Sequence, residues 1–390
     1  MVPEGFLLAL LGAAISPVIY SYVIYPVAVA GLARIAGHGP THAQLADLPR
    51  VTVLIAAHNE AEVIGQRVQN ALELDYPRER LEILIASDGS TDATEEIVSA
   101  IAHPCVTLLS HRPNRGKSFT LNRAIPRASG EVIVMSDANT RFAADAARRL
   151  VQRLETRDKP LAVCGKLVLV DPESGDNVDG LYWRFESWQK QNEGRLAATL
   201  GANGGIYAFR KDSYCPIPDN TIVDDMTIPL LMKLQHGGSV VYDESALAYE
   251  DAAPSMADEF GRRVRIGTGA YQSLRILWPL LHPRHGFTAL AFFSHKLLRW
   301  FTPHLLLAGA LIIIAGLNYP LVRCLGLLAV AVSALAWLGR GATGNSVPAR
   351  ILRLVSMFFA MNLALMIGFW RWLREEQSGT WKRTARESEP

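Results

Sequence analysis

Apolar and polar positions divide this chain into three regimes. Gly5 to Ala33 carries no Asp, Glu, Lys or Arg, and charge-free runs return at Trp300–Val322, Cys324–Gly339 and Leu354–Trp370. A helix needs about 20 apolar residues to cross a bilayer core. The first two runs meet that length, Leu354–Trp370 is at its lower edge, and Cys324–Gly339 is short. The N-terminal run has no basic start, is too long for a signal peptide and shows no small-residue cleavage pattern, so it reads as a retained anchor. Pro17 and Pro26 inside it are kinks of the kind membrane helices tolerate.

Between these regions, residues 50–250 alternate short apolar runs with amphipathic ones. Val51–Ala57 is β-branched and apolar, the pattern of a buried parallel strand. A helix follows in which Ile64, Val68, Ala71 and Leu72 share a face, with Asn59 and Glu62 at capping-box spacing. Leu81–Ala86, Val106–Leu109, Val132–Met135 and Ile206–Phe209 read as further strands; Asp92–Ile101 and Ser118–Ala124 read as helices. The alternation predicts an α/β domain with an open, mostly parallel sheet and right-handed crossovers. Ligands bind beyond the carboxyl ends of such strands. Asn59, Asp88 and Asp137 each follow a predicted strand and should share one edge.

From Asp258 to Trp278 the pattern changes. Phe260, Val264, Gly267, Tyr271, Leu274 and Trp278 recur in steps of four and three along one helix face, with Arg262 and Arg265 beside it. This helix either lies in a membrane interface or packs on the soluble core, and Pro279 ends or kinks it. The expected order is an anchor (1–35), a cytosolic domain (48–252), interfacial helices (255–300), a membrane region (301–373) and a basic tail (374–390). Arg340, Arg350 and Arg353 inside the cell satisfy the positive-inside rule. Three C-terminal crossings would put the tail outside against that rule, so one segment is expected to be re-entrant or interfacial.

Charge and composition narrow the function. A net charge of +2 over 390 residues indicates no nucleic-acid partner. The four cysteines form no C-x-x-C pair, so neither a zinc site nor a disulfide framework is signalled. His38 and His42 have Gly39 and Pro40 between them, which disfavours a helix presenting both to one metal.

The acidic positions carry the chemistry. Asp88, in Ser87-Asp88-Gly89-Ser90-Thr91-Asp92, either accepts a hydrogen bond from a base or ribose, or makes a plain turn and cap. Asp137-Ala138-Asn139 either ligates Mg²⁺ or Mn²⁺ carrying a diphosphate, or forms an Asx-turn. Lys117 lies in Asn114-Arg115-Gly116-Lys117-Ser118, which lacks the upstream glycine of a P-loop. It either contacts a phosphate at a helix start or is solvated. Gly201-Ala202-Asn203-Gly204-Gly205 permits close approach of a ligand, or makes a tight turn. Asp224 and Asp225 are adjacent carboxylates; in a pocket their repulsion and desolvation raise one pKa toward that of a useful base. Arg262 and Arg265 face either a developing diphosphate charge or lipid phosphates.

Five segments in this order resemble the membrane-bound family 2 glycosyltransferases, which include cellulose, chitin, hyaluronan and poly-N-acetylglucosamine synthases. They are Ala56-Ala57-His58-Asn59-Glu60, Ser87–Asp92, Asp137-Ala138-Asn139, Val223-Asp224-Asp225 and Arg262-Arg263-Val264-Arg265-Ile266. The resemblance implies a GT-A fold, a UDP-sugar donor, Mg²⁺ or Mn²⁺, and inversion at the anomeric carbon. It implies that Ala57, Asn59, Glu60, Asp88, Lys117, Asp137, Arg262 and Arg265 bind the nucleotide-sugar. It places Asp137 and Asn139 at the metal, Asp225 as general base with Asp224 beside it, and Asn203 and Gly204 toward the acceptor.

Two departures stand out: Asn139 replaces the second Asp of D-x-D, and Ile266 replaces a Trp found in the polymer synthases. The expectation is therefore a multi-pass enzyme of the inner (plasma) membrane with a cytosolic catalytic domain and contacts to membrane lipids. It would transfer a sugar to a lipid-linked or growing glycan acceptor in cell-surface or exopolysaccharide synthesis. The alternatives are a processive polysaccharide synthase and an inactive subunit of a polysaccharide assembly or export complex.

Overall fold

The computed structural model describes residues 2–171, 174, 177, 180–252, 256–341 and 346–376. Contacts divide the chain into two units. Among the described residues, one draws on 2–29, 256–271 and 290–376; the other draws on 30–252 and 272–289. The expected basic tail lies outside the described residues beyond Glu376.

The chain opens with α1 (Glu4–Ile19) and α2 (Tyr25–Ala36), joined without a break by a wider π-helical turn over Tyr20–Ile24. An eight-stranded sheet follows in the second unit. Its strands are β1 (Val51–Ala57), β2 (Leu81–Asp88), β3 (Val106–His111), β4 (Val132–Asp137), β5 (Arg141–Phe142), β6 (Ala162–Val170), β7 (Tyr207–Arg210) and β8 (Val240–Asp251), in spatial order β3-β2-β1-β4-β7-β6-β8-β5. The first four in that order are parallel, as the strand–helix alternation requires. β7 then runs antiparallel to both β4 and β6, and β5 antiparallel to β8, so the second half of the sheet is mixed.

Every residue of β1 is buried. Val51, Val53, Ile55 and Ala57 face one core, while Leu54 and Ala56 face the other. A strand covered on both faces has no use for polar alternation, which explains its continuous apolar run. Helices α3 (Ile64–Leu72), α4 (Thr94–Ala100), α5 (Lys117–Ala124), α6 (Ala146–Leu154), α7 (Leu181–Arg195) and α8 (Asp224–His236) connect the strands. Ile64, Val68 and Ala71 of α3 join Leu150 and Leu154 of α6 on the first core; Leu121 of α5 and Ile228 and Met232 of α8 join the second. Truncating a side chain such as Ile55 in this packing costs about 2–5 kcal/mol.

The expected capping box does not form. α3 starts at Ile64 behind Val63, with no side-chain cap. Asn59 adopts a left-handed φ of 56°, and its Oδ1 accepts from the Thr91 backbone N–H at 2.8 Å. Asn tolerates that conformation better than most residues, and the side chain ties β1's exit to the turn after β2.

Helix α9 (Met256–Leu277) ends before Pro279 as expected. Its buried face keeps Val264, Gly267 and Tyr271 of the predicted row. Val264, Gly267, Thr268, Ala270 and Tyr271 are buried, whereas Trp278 sits beyond the helix in a 3-10 turn and is 63% exposed. In the first unit, a Cβ added at Gly368 would lie 2.7 Å from the Thr268 backbone nitrogen. Only glycine allows so close a helix approach.

Four helical stretches are long and apolar enough to span a bilayer: Glu4–Ala36, Phe287–Ala315, Pro320–Leu338 and Val347–Leu373. The last three correct the charge-free boundaries. The second contains α10 (Phe287–Ala291), a π-helical turn (Phe292–Leu297) and α11 (Leu298–Ala315); the others are α12 (Pro320–Leu338) and α13 (Val347–Leu373). Trp300–Val322 is therefore not one span, because the chain turns after Ala315 and restarts at Pro320.

Charges are also admitted where the bundle satisfies them. Arg299 is buried, sits 4.9 Å over the Tyr22 ring and donates to the Ser21 carbonyl at 3.4 Å. The two π-helical turns meet at Ser294, whose carbonyl accepts from Ser21 Oγ at 2.7 Å. A side-chain hydroxyl thus serves a backbone group near a helix irregularity, as apolar surroundings demand.

Candidate active site

The parallel half of the sheet brings the acidic positions to one edge. Ala57 pairs with Ser87 and Ala56 with Asp137, so Asn59, Asp88 and Asp137 leave adjacent strand ends together. β7 completes the edge from the opposite direction. Because it is antiparallel to β4, with Met135 opposite Tyr207, the Gly201–Gly205 turn preceding β7 lies beside Asp137.

Gly204 marks the centre. A Cβ added there would stand 3.4 Å from Asp137 Oδ2 and 3.5 Å from Asp225 Oδ2. The two carboxylates therefore face one gap, kept open by the absent side chain. Asp225 is half-buried at the start of α8, and its carbonyl accepts from the Ala202 N–H at 2.9 Å. Lys117, the first residue of α5, places Nζ 2.7 Å from Asp137 Oδ1 and 3.3 Å from Asp224 Oδ2. Burial alone would lower the lysine pKa, but Asp137, Asp224 and Asp225 outweigh it and raise it. Burial pushes Asp224 up to about 6; Asp225 and Asp137 add to this and Lys117 opposes it. With a side chain only 8% exposed, Asp224 is the ammonium's counter-ion rather than an accessible base.

Other expected positions are engaged differently. Asp88 is fully buried, and its carboxylate accepts from Arg115 N at 2.8 Å and Gly116 N at 2.7 Å. His111 Nε2 is 2.9 Å from the same Oδ1. Two backbone N–H groups and the imidazole thus surround the carboxylate at the end of β2. Asn139 donates to Glu250 Oε1 at 2.9 Å. Asn203 turns inward: its Nδ2 donates to the Gly165 carbonyl at 2.8 Å and its Oδ1 accepts from Lys190 Nζ at 2.5 Å. That makes it a brace for the turn. Glu60 donates its N–H to Thr94 Oγ1 at 2.8 Å, and Ala57 is buried at the end of β1. Arg262 and Arg265 are exposed on α9 in the first unit; Glu259 is 3.9 Å from Arg262.

Several supporting residues are not among the sequence candidates. Arg67 is buried, donates to Ser136 Oγ from Nε and Nη2 at 3.2 and 3.0 Å, and lies 4.6 Å over the Phe142 ring. Burial lowers its pKa to about 9 against the opposing field of Asp137. It fixes the residue before Asp137, and an arginine on α3's apolar face is the signal that marks it. Gln272 accepts from the Ile222 N–H at 2.9 Å and donates to the Asn220 carbonyl at 2.8 Å, holding the approach to Asp224.

Among the described residues no three His, Cys, Asp or Glu side chains gather as a metal cage. Asp137 facing the gap instead fits a hard cation bound through one carboxylate plus phosphate oxygens, a common arrangement for Mg²⁺.

A nucleotide-type α/β edge carrying this lysine and these opposed carboxylates defines a GT-A-type glycosyltransferase. Residues 52–214 match glycosyl transferase family 2, so the chain carries a domain of that kind over this stretch. It is 36% identical over 130 residues to "Probable glycosyltransferase YdaM" of Bacillus subtilis, covering 32% of this chain and 31% of that protein. It is 27% identical over 247 residues to a beta-monoglucosyldiacylglycerol synthase of Nostoc sp., covering 60% and 52% respectively. It is 26% identical over 235 residues to a poly-beta-1,6-N-acetyl-D-glucosamine synthase of Staphylococcus aureus, covering 58% and 56%. The matches span between about a third and just over half of these relatives' lengths. A mannosyltransferase of Pyrobaculum calidifontis, solved with GDP-Man and Mn²⁺, superposes with a TM-score of 0.72 at 22% identity, over 94% of this chain and all of that one. That likeness concerns the fold.

Proposed function

We propose that this chain is a membrane-embedded inverting glycosyltransferase that moves a sugar from a UDP-sugar to a lipid-linked or growing glycan acceptor. The observation that carries the proposal is the pair Asp137 and Asp225 facing the gap at Gly204. Asp137 would hold Mg²⁺ or Mn²⁺ through its carboxylate, with Asn139 kept near by Glu250. When bound, the cation supplies positive charge to the leaving diphosphate. Lys117 adds a fixed positive charge at the same place.

Asp225 accepts the proton of the acceptor hydroxyl as that oxygen attacks the anomeric carbon. The new C–O bond forms on the face opposite the departing diphosphate, whose own C–O bond breaks, so the configuration inverts. The helix start at Asp225 and its hold on Ala202 keep the base aimed at the gap. Arg262 and Arg265 are proposed to meet the diphosphate or lipid phosphates, with the catalytic domain cytosolic at the plasma membrane. The Nostoc and Staphylococcus relatives are named for β-linked products, which an inverting transfer from an α-linked donor yields.

A glycolipid-forming single transfer is favoured because Ile266 stands where the polymer synthases carry Trp. The processive alternative is kept by the Staphylococcus relative. The full-length protein in detergent, given a panel of UDP-sugars, should release UDP with at least one, and mass analysis should find one or few sugars added to a lipid. Release from GDP-sugars alone would overturn the donor assignment. Long polymer made in a single binding event would overturn single transfer.

A further inference from the structure

Asn139 stands where the motif it resembles has a second carboxylate, and its amide has a property a carboxylate lacks: its two ends differ. Oδ1 accepts and Nδ2 donates. A hard cation takes oxygen ligands, so asparagine serves it in only one of the amide's two orientations. A carboxylate offers an oxygen whichever way it turns.

The other half of the sheet decides between those orientations. The antiparallel pairing of β5 with β8 sets Arg141 opposite Tyr249 and Phe142 opposite Ala248, which carries Glu250 beside the turn that leaves β4. There Glu250 Oε1 accepts from Asn139 Nδ2 at 2.9 Å. An ionised carboxylate has acceptors alone, so the amide can meet it only with its nitrogen. Oδ1 is then the end turned away from Glu250. The backbone of the turn is held separately. Thr140 is fully buried and donates its N–H to the Asp137 carbonyl at 3.3 Å. Ala138 is buried as well, and a Cβ added at Gly205 would lie 2.7 Å from Thr140 Oγ1. What is left to set at Asn139 is the amide itself.

We propose that Glu250, which lies outside the acidic motif, is a positioning residue for the cation site. By holding Asn139 Nδ2 it keeps the amide oxygen available to the cation that Asp137 would hold. An asparagine thus serves where a carboxylate would need no such partner. Outer-shell partners orient the ligands of metal sites in this way. The inference rests on the proposed cation at Asp137, but the contact between Asn139 and Glu250 can be read without any metal.

The test is a double-variant cycle in the full-length protein in detergent, with wild type, Glu250→Ala, Asn139→Asp and the two changes together. Mn²⁺ is titrated in the presence of saturating UDP, and the unbound ion is counted by its electron paramagnetic resonance signal. Glu250→Ala should weaken Mn²⁺ about tenfold, the lower end of the cost of losing an outer-shell partner. Glu250→Gln, which keeps an acceptor, should fall between that variant and wild type. In the Asn139→Asp background, Glu250→Ala should cost less than about twofold, because either oxygen of a carboxylate serves. Equal weakening in both backgrounds means that Glu250 acts on the cation itself, by ligation or by charge, and overturns the proposal. Unchanged affinity in Glu250→Ala overturns it too. If Glu250→Ala fails to fold, Glu250→Gln is compared in both backgrounds by the same criterion.

A metal-free arm reads the contact alone. In EDTA, Asn139→Asp should lower Tm, since it sets a carboxylate against Glu250 across the strand pair, and adding Glu250→Ala should recover the loss. If Asn139→Asp melts like wild type, the two side chains do not meet, and the proposal fails before any cation is added. Wild type that binds no Mn²⁺ with UDP, while the EDTA arm behaves as stated, would overturn the cation reading and with it the purpose assigned to Glu250.

Discussion

The Lys117 ammonium stands 2.7 Å from Asp137 Oδ1, and it is the cation that the acidic edge is built around. Three carboxylates converge here, and removing the ammonium leaves them repelling at short range. Lys117→Met should therefore destabilise the protein by about 3–5 kcal/mol, the range for stripping a buried ion pair of one partner. Millimolar Mg²⁺ should raise the variant's melting temperature more than it raises the wild type's, because the metal then supplies the missing charge. Thermal unfolding of the detergent-purified protein with EDTA and with Mg²⁺ measures both effects.

Asp225→Asn keeps the shape of the site and removes its proton acceptor. Turnover should fall by about 10²–10⁴-fold, the usual contribution of a general base, while UDP affinity stays within about twofold. Retention of full turnover would remove Asp225 from the mechanism.

Asp224 has a raised pKa in the folded protein, about 6 against 3.8 for the ordinary carboxyl. The folded state therefore holds this proton more tightly than the unfolded state. The residue costs nothing below about pH 4, where both states are protonated, and its cost grows as pH rises through 6. Asp224→Asn should gain stability relative to wild type between pH 4 and pH 8, by about 1–3 kcal/mol after allowing for the Lys117 pairing. Melting curves across that range in EDTA test the sign; a gain that shrinks with rising pH would contradict it.

Gly204→Ala places a methyl at van der Waals distance from both Asp137 Oδ2 and Asp225 Oδ2 without a clash. The fold should tolerate it, with a melting temperature within a few degrees of wild type. The gap that donor and acceptor must share is narrowed, so kcat/KM should drop by about tenfold or more, a loss of about 1.4 kcal/mol or more in transition-state binding. A large drop in melting temperature with unchanged kinetics would mean that the gap is structural.

Much of this was legible in the chain because the parallel half of the sheet obeys local rules. Val51–Ala57 was marked by its unbroken apolar run, and the carboxyl-end rule brought Asp88 and Asp137 to one edge. What those residues touch was not legible. Asp88 points inward because a segment nearly thirty residues later offers it two N–H groups, and Asn139 turns to Glu250 across a pairing of β5 with β8 that no periodicity announces. The membrane boundaries were misplaced for a related reason. An apolar helix need not be charge-free: Arg299 is buried in the bundle because Ser21 and Tyr22, far away in sequence, receive it.

The reversal of direction at β7 has a consequence for how such a site is built. β1, β2 and β4 deliver their loops to the edge at their carboxyl ends, whereas β7 delivers the Gly201–Gly205 turn from its amino end. That turn belongs to a connection entering the edge from the other half of the sheet, braced by Lys190 and Gly165. Since Ala202 donates to the Asp225 carbonyl and Gly204 borders Asp137 and Asp225, the mixed half of the sheet sets the width of a gap whose first acidic wall the parallel half supplies.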